Sequence, residues 1–200
     1  MTPHFSRGKN DAIAFVFSCP GRLESEGGYP AAGTTGRNLE QLLCLVSAGR
    51  SGPRLARSDI TIANSWDVVE YKKKTGRTEA SDEEVLSNKN IERLAREVEH
   101  VTTLLVFCGR KATLAAGGLL HRGLLPKNPA IAHICHLGGR SLNRIALDAQ
   151  GNEILSVERQ RNMGSKEAKG EIGKKNTSRR LTVLARGLVL DFDRALSVDR

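Results

Sequence analysis

A chain of 200 residues with 39% apolar and 26% charged side chains is normal for one soluble globular domain with a real core. No apolar run approaches the ~18 residues that would suggest a membrane span, and the polar N-terminal stretch lacks a secretory apolar segment, so a cytoplasmic monomer is expected. The net charge of +9 points to a polyanionic partner, because Lys and Arg gain affinity by releasing counterions from nucleic acid; a basic surface that only keeps the chain soluble is the alternative.

In chain order, Ala12 to Phe17 is a continuous apolar run, as in a strand buried on both faces. After Thr35, Leu39, Leu42, Leu43 and Val46 follow the i, i+3, i+4, i+7 spacing of one helical face. Asp59 to Asn64 reads as a second strand. Ser81 or Asp82 caps a helix in which Ile91, Leu94, Ala95 and Val98 repeat that spacing. Thr103 to Cys108 is a third strand, Lys111 to His121 a helix and Ala130 to Cys135 a fourth strand. Strands separated by helices predict an α/β fold, a three-layer α/β/α sandwich on a mainly parallel four-stranded sheet, with ligands beyond the carboxyl ends of the strands.

Residues 142–156 are expected to hold a hairpin, with apolar residues on both sides of Asp148-Ala149-Gln150-Gly151-Asn152. Residues 158–180 carry eight Lys or Arg against three Glu and are read as a basic loop that either meets phosphates or is a solvated linker. Leu181 to Leu196 closes the domain as a helix or a strand pair. Cys19, Cys44, Cys108 and Cys135 form no Cys-x-x-Cys pair, so reduced, mostly buried thiols are expected and neither metal nor cofactor is implied.

The densest motif is Pro20-Gly21-Arg22-Leu23-Glu24, followed by Gly28, Pro30, Gly33, Gly36 and Leu39. It resembles the first motif of the bacterial and archaeal-type uracil-DNA glycosylases, where a Pro-Gly-x-x-Glu turn leads to Gly-x-Pro, two glycines three apart and a leucine-rich helix. Three further segments resemble that superfamily in the same order: Ile60 to Asn64, Leu104 to Ala112, and His136-Leu137-Gly138. The resemblance covers roughly 12–142. It implies a monofunctional DNA glycosylase that flips a base from the stack and hydrolyses its N-glycosidic bond.

In that scheme Glu24 or Glu26 assists catalysis, with Asp67 and Glu70 in reserve, and His136 donates to the departing base; His133 competes for that role. Glu24 has the alternative of holding its loop through backbone N–H groups. The base would meet Ser18, Cys19, Pro20, Gly21, Tyr29, Ala31 and Asn64. The DNA would meet Gly33, Thr34, Thr35, Gly109, Arg110, Leu137, Gly138, Gly139, Arg140 and Arg144, with Leu137 or else Leu142 as the wedge that fills the gap.

The chain also departs from the resembled pattern. Ser18 and Cys19 stand where that superfamily carries its Glu or Asp, Ala31 replaces an aromatic wall that Tyr29 would have to supply, Leu137-Gly138 replaces Pro-Ser, and the cluster-binding cysteines are missing. A roomier pocket suits a modified base, such as the hydroxymethylated or glucosylated cytosine of phage DNA, which would make the protein a defence factor. The alternatives are excision of uracil or another deaminated base, a catalytically inactive DNA-binding protein, and a nucleotide-binding enzyme using the glycine loop for phosphate.

Overall fold

The computed structural model describes residues 2–50, 52–127 and 129–198. Five strands, β1 (Phe5–Ser6), β2 (Ile13–Phe17), β3 (Thr61–Asn64), β4 (Leu104–Cys108) and β5 (Ala130–Ile134), form one sheet in the order β1-β3-β2-β4-β5. The four longer strands are mutually parallel, as expected; the antiparallel β1, paired through Phe5–Ala63 and Ser6–Ile62, adds a fifth at the edge. A two-residue strand carries too little apolar pattern to be legible in the sequence.

The connecting helices are α1 (Arg22–Gly27), α2 (Gly33–Ala48), α3 (Lys72–Thr75), α4 (Asp82–Leu86), α5 (Asn88–Val98), α6 (Arg110–His121), α7 (Gly139–Leu142), α8 (Val157–Asn162) and α9 (Lys169–Val198). Alternate residues of β2 serve opposite layers, as the two-residue strand period requires. Ile13, Phe15 and Phe17 pack with Leu39, Leu42 and Leu43 of α2 and with Leu181, Leu188 and Phe192 of α9. Ala14 and Val16 pack with Ile91 and Leu94 of α5 and Leu119 of α6. The chain runs from β2 outward to β3 over one face, then back across β2 to β4 and β5 over the other. Reversing direction while keeping right-handed crossovers forces that change of face, and it opens a crevice at the carboxyl ends of the strands.

Two segments differ from expectation. The helix expected from Ser81 to Val98 is two helices, because Ser87 leaves helical geometry at ψ 143°. Ser81 does cap the first: its Oγ accepts from Glu84 N at 3.2 Å and Glu84 Oε2 accepts from Ser81 N at 2.7 Å.

The second difference is larger. Residues 158–180 are not a basic loop: α8 and the first turns of the 30-residue α9 occupy them. Ile172, Asn176, Arg180 and Leu181 are buried at helical spacing, so the stripe that holds this helix down is half polar and is hidden from a hydrophobic-pattern search. Asn176 donates to Leu155 O at 2.8 Å and Arg179 pairs with Asp148 at 2.6 Å, tying the helix to the expected hairpin. That hairpin is a single bridge, Leu147 to Glu153, turned by Gly151 at φ 85°. α9 runs on through Gly187, settling the closing segment as helix.

All four cysteines are free. Cys108 is buried and Cys19 and Cys135 half-buried, whereas Cys44, expected inside, is exposed on α2. Among the described residues no helix is long and apolar enough to cross a membrane.

A pair of glycines tests the packing. A Cβ on Gly36 would lie 2.1 Å from Ala31 O, whereas one on Gly117, an exposed position of α6, meets nothing within 4 Å. Gly36→Ala is expected to cost roughly 1–3 kcal/mol by overpacking, and Gly117→Ala to stabilise by about 0.5–1 kcal/mol through helix propensity. Urea unfolding of the two variants reads both; equal midpoints would contradict the packing described.

Candidate functional site

The carboxyl ends of β2 and β3 are laced together. Ser65 N donates to Phe17 O at 2.7 Å, Ser65 Oγ and Trp66 N donate to Ser18 O at 2.7 and 3.0 Å, and Glu70 N donates to Pro20 O at 2.9 Å. From the far side Asn38 of α2 donates through Nδ2 to Leu137 O at 2.7 Å, fixing the segment after β5. Gly109 sits at φ 91°, where a Cβ would lie 3.0 Å from that of His136, so only glycine lets the two segments meet. Arg57 clamps Pro30 O and Ala31 O, holding Ala31 at φ 50°.

These segments enclose a cavity of about 210 Å³. Its wall includes Phe17, Ser18, Cys19, Gly21, Glu24, Ala31, Thr35, Asn64, Glu70, Thr78, Glu79 and His136. Asn64 is 2% exposed and its Oδ1 is buried without a hydrogen-bond partner. Glu70 is equally buried; Oε1 accepts from Arg77 at 2.5 Å, and the side chains of Thr75 and Trp66, whose indole N–H is itself buried without another partner, also face the carboxyl. The Arg77 hydrogen bond holds the Glu70 carboxyl below the usual carboxylate range. Glu70 is therefore an ionised group that only accepts.

Glu24 is differently employed. Its Oε2 accepts from Gly21 N at 3.0 Å and its Oε1 from Ala32 N at 2.9 Å, so each oxygen already braces the glycine loop. The two N–H groups that a nucleotide phosphate would need are thereby occupied. Glu79, which no motif signalled, brings the other carboxylate: Oε1 accepts from Ser18 Oγ at 3.2 Å. It stands in a polar stretch just ahead of the Ser81 cap, and that cap is the one sequence signal near it.

His136 accepts from Gly138 N at 2.9 Å through Nδ1, so the neutral ring carries its proton on Nε2. Burial pushes its pKa below the ordinary histidine value, with the Glu79 and Glu24 carboxylates pulling the other way. Phe17 meets the ring edge-on at 5.8 Å. Burial drives the Cys19 thiol up to about 11, which keeps it protonated and poorly nucleophilic.

The remaining expected residues fall elsewhere. Glu26 is exposed and paired with Arg22 at 3.0 Å, outside the cavity. Tyr29 is on the surface beneath the Arg57 guanidinium at 5.4 Å and does not replace the missing aromatic wall. Pro20 is buried behind the wall. Leu137 and Leu142 are 0% and 1% exposed; both belong to the core, so neither is a surface wedge. His133 stacks on Phe107 at 5.7 Å, and Asp67 sits 3.9 Å from Arg93, both off the cavity wall.

Gly33, at φ 63°, packs against Leu23, and the Thr34 hydroxyl accepts from Arg37. Arg110 is engaged by both oxygens of Asp82 at 2.9 Å. Gly138 serves His136 and Gly139 opens α7. Arg140 and Arg144 are exposed. Among the described residues no cluster of His, Cys, Asp or Glu could hold a metal ion.

The buried His136 gives a pH test. Below the ordinary value of 6.5 the unfolded chain takes up a proton before the folded one does, so stability falls as pH drops from 6.5 toward the folded pKa. The His136 ring protons are expected to titrate below 6.5 by NMR, and His136→Gln should flatten that part of the stability profile. A midpoint at or above 6.5 would contradict the environment described.

Compared with known proteins, the chain matches no family model, and no curated protein sequence matches it, so what the site does rests on the side chains themselves.

Proposed function

We propose that the protein is a monofunctional DNA glycosylase that excises a flipped, amino-bearing pyrimidine, a modified cytosine, and leaves an abasic site. The observation that carries this reading is Asn64 Oδ1, a buried acceptor without a partner, beside the ionised Glu70 carboxylate on a cavity shared with His136. Such an atom costs about 1–3 kcal/mol until a donor reaches it. Cytosine offers an exocyclic amine, whereas uracil offers a carbonyl oxygen there. Asn64 could present its amide N–H₂ instead, but Glu70, kept ionised by Arg77, only accepts. This acceptor pair favours the amino base over the uracil that the resembled superfamily implies. Ala31 stands where the resembled superfamily has an aromatic wall, and that smaller side chain suits a base with a ring substituent, such as the hydroxymethyl or glucosyl group of phage DNA, from which a role in antiviral defence would follow.

The reaction breaks the C1′–N bond, and the electron pair leaves with the base. His136 Nε2–H stabilises the negative charge developing on the base. Water adds to C1′, and Glu79 takes its proton before passing it to the base. The sum is one water consumed, one free base and one abasic deoxyribose. Glu24 keeps the loop rigid from outside the proton path.

The test is abasic-site formation on unmodified, uracil-containing, hydroxymethylated and glucosylated DNA. Cleavage of a cytosine-modified DNA is expected, with Glu79→Gln and His136→Gln each lowering kcat by roughly 10²–10³-fold. Cleavage of uracil DNA alone would overturn the base assignment. Abasic sites in none of the DNAs, with DNA binding retained, would leave a binding protein without catalysis.

A further inference from the structure

A second, larger cavity of about 1150 Å³ lies between α2, α7, the hairpin, α8 and α9. It carries four cations, Arg37, Lys174, Lys175 and Arg180, against one carboxylate, Glu158. Arg180 is the unusual member. It is 7% exposed, its Nε donates to Ile145 O at 3.1 Å, and among the described residues no carboxylate pairs with it. The adjacent guanidinium is Arg179, of like sign and already committed to Asp148. Burial and that neighbour both push the Arg180 pKa down. An uncompensated buried cation is costly, and an anion entering the groove removes that cost.

The rim can be freed at little cost. Lys174 and Lys175 are held only by the exposed pairs to Glu171 and Glu167, and such surface pairs contribute about 0–1 kcal/mol. Arg37 has the Thr34 hydroxyl alone. The groove also adjoins the smaller cavity. Asn38 and Gly139 line it, and Asn38 holds the Leu137 carbonyl next to His136, so one short segment, 136–139, separates the two spaces.

We propose that this groove is a phosphodiester channel for the DNA strand that continues from the base in the smaller cavity, with Arg180 anchoring one phosphate and Lys174, Lys175 and Arg37 meeting its neighbours. The inference rests on the glycosylase reading for which strand is bound, but DNA affinity tests it without reference to bond cleavage.

Fluorescence anisotropy with an oligonucleotide is measured over a salt series for the full chain and for Lys174→Gln/Lys175→Gln, whose side chains are exposed and outside the small cavity. The slope of log affinity against log salt is expected to shrink by ~1 per lysine, with an affinity loss of roughly tenfold. Arg180→Met is expected to weaken binding at least as much while leaving the melting temperature undiminished, because it removes an unpaired buried charge. Unchanged affinity and slope in the lysine variant would overturn the channel, whether or not any DNA is cleaved. Arg180→Met that lowers the melting temperature and leaves DNA affinity intact would make Arg180 a structural residue. Inorganic phosphate that raises the melting temperature of the unmodified chain but not of Arg180→Met, with DNA binding unaffected, would make the groove a small-anion site. Failure of the glycosylase reading looks different: no abasic sites in any DNA, with the salt-dependent loss still present in the lysine variant.

Discussion

Parallel strands that end inside a protein leave backbone groups with no further ladder to join, and buried N–H and C=O groups must find partners. Here β2 ends between β3 and β4, and its last carbonyls are met by the chain leaving β3. Ser65 serves both Phe17 O and Ser18 O, Trp66 N adds to Ser18 O, and Glu70 N reaches Pro20 O. Ser65 is in turn held through its own carbonyl by Asn90 Nδ2 at 2.7 Å. This lacing sets the floor of the small cavity, and it brings Asn64 and Glu70 to the same wall as Ser18.

Three carboxylates then share one small space in three different states of engagement. Glu24 is saturated by backbone N–H groups. Glu70 is held ionised by Arg77, with Trp66 and Thr75 beside the same carboxyl. Glu79 accepts from a hydroxyl alone. Glu79 has the most capacity left for a ligand or a water. His136 is the complementary donor, kept neutral by burial and given its tautomer by Gly138. The division of labour follows from local partners rather than from residue type, which is why equal carboxylates in a motif do not imply equal roles.

The two cavities treat charge in opposite ways. The small one gathers three carboxylates and Asn64 around a single neutral histidine. The large one gathers cations with a single acid. On the proposed reading, a nucleotide unit offers donors on an amino base to the first and negative charge on its phosphates to the second, through one strand crossing the 136–139 segment. That segment is held rigidly by Asn38 and buried at Leu137, so it acts as a fixed divide and not as an inserting wedge.

The parallel strands, the amphipathic α2 and α5 and the capping box at Ser81 could be read from the chain because each depends on short-range spacing: apolar runs, the helical period, and a Ser three residues before a Glu. The same holds for the position of the glycine loop, for Asn64 at a strand end and for His136 beyond the last strand. What only the tertiary structure decided depends on contacts between distant segments. Glu79 meets Ser18 across 61 residues, Arg57 covers Tyr29 and removes it from the site, Leu137 turns inward because α2 lies behind it, and the basic stretch 169–180 becomes helix because Ile172, Asn176 and Arg180 find a surface to bury against. A pattern in one segment states which face is apolar; it carries no information on which remote carbonyl, carboxylate or cation that face will meet, and the chemistry of this protein is set by those meetings.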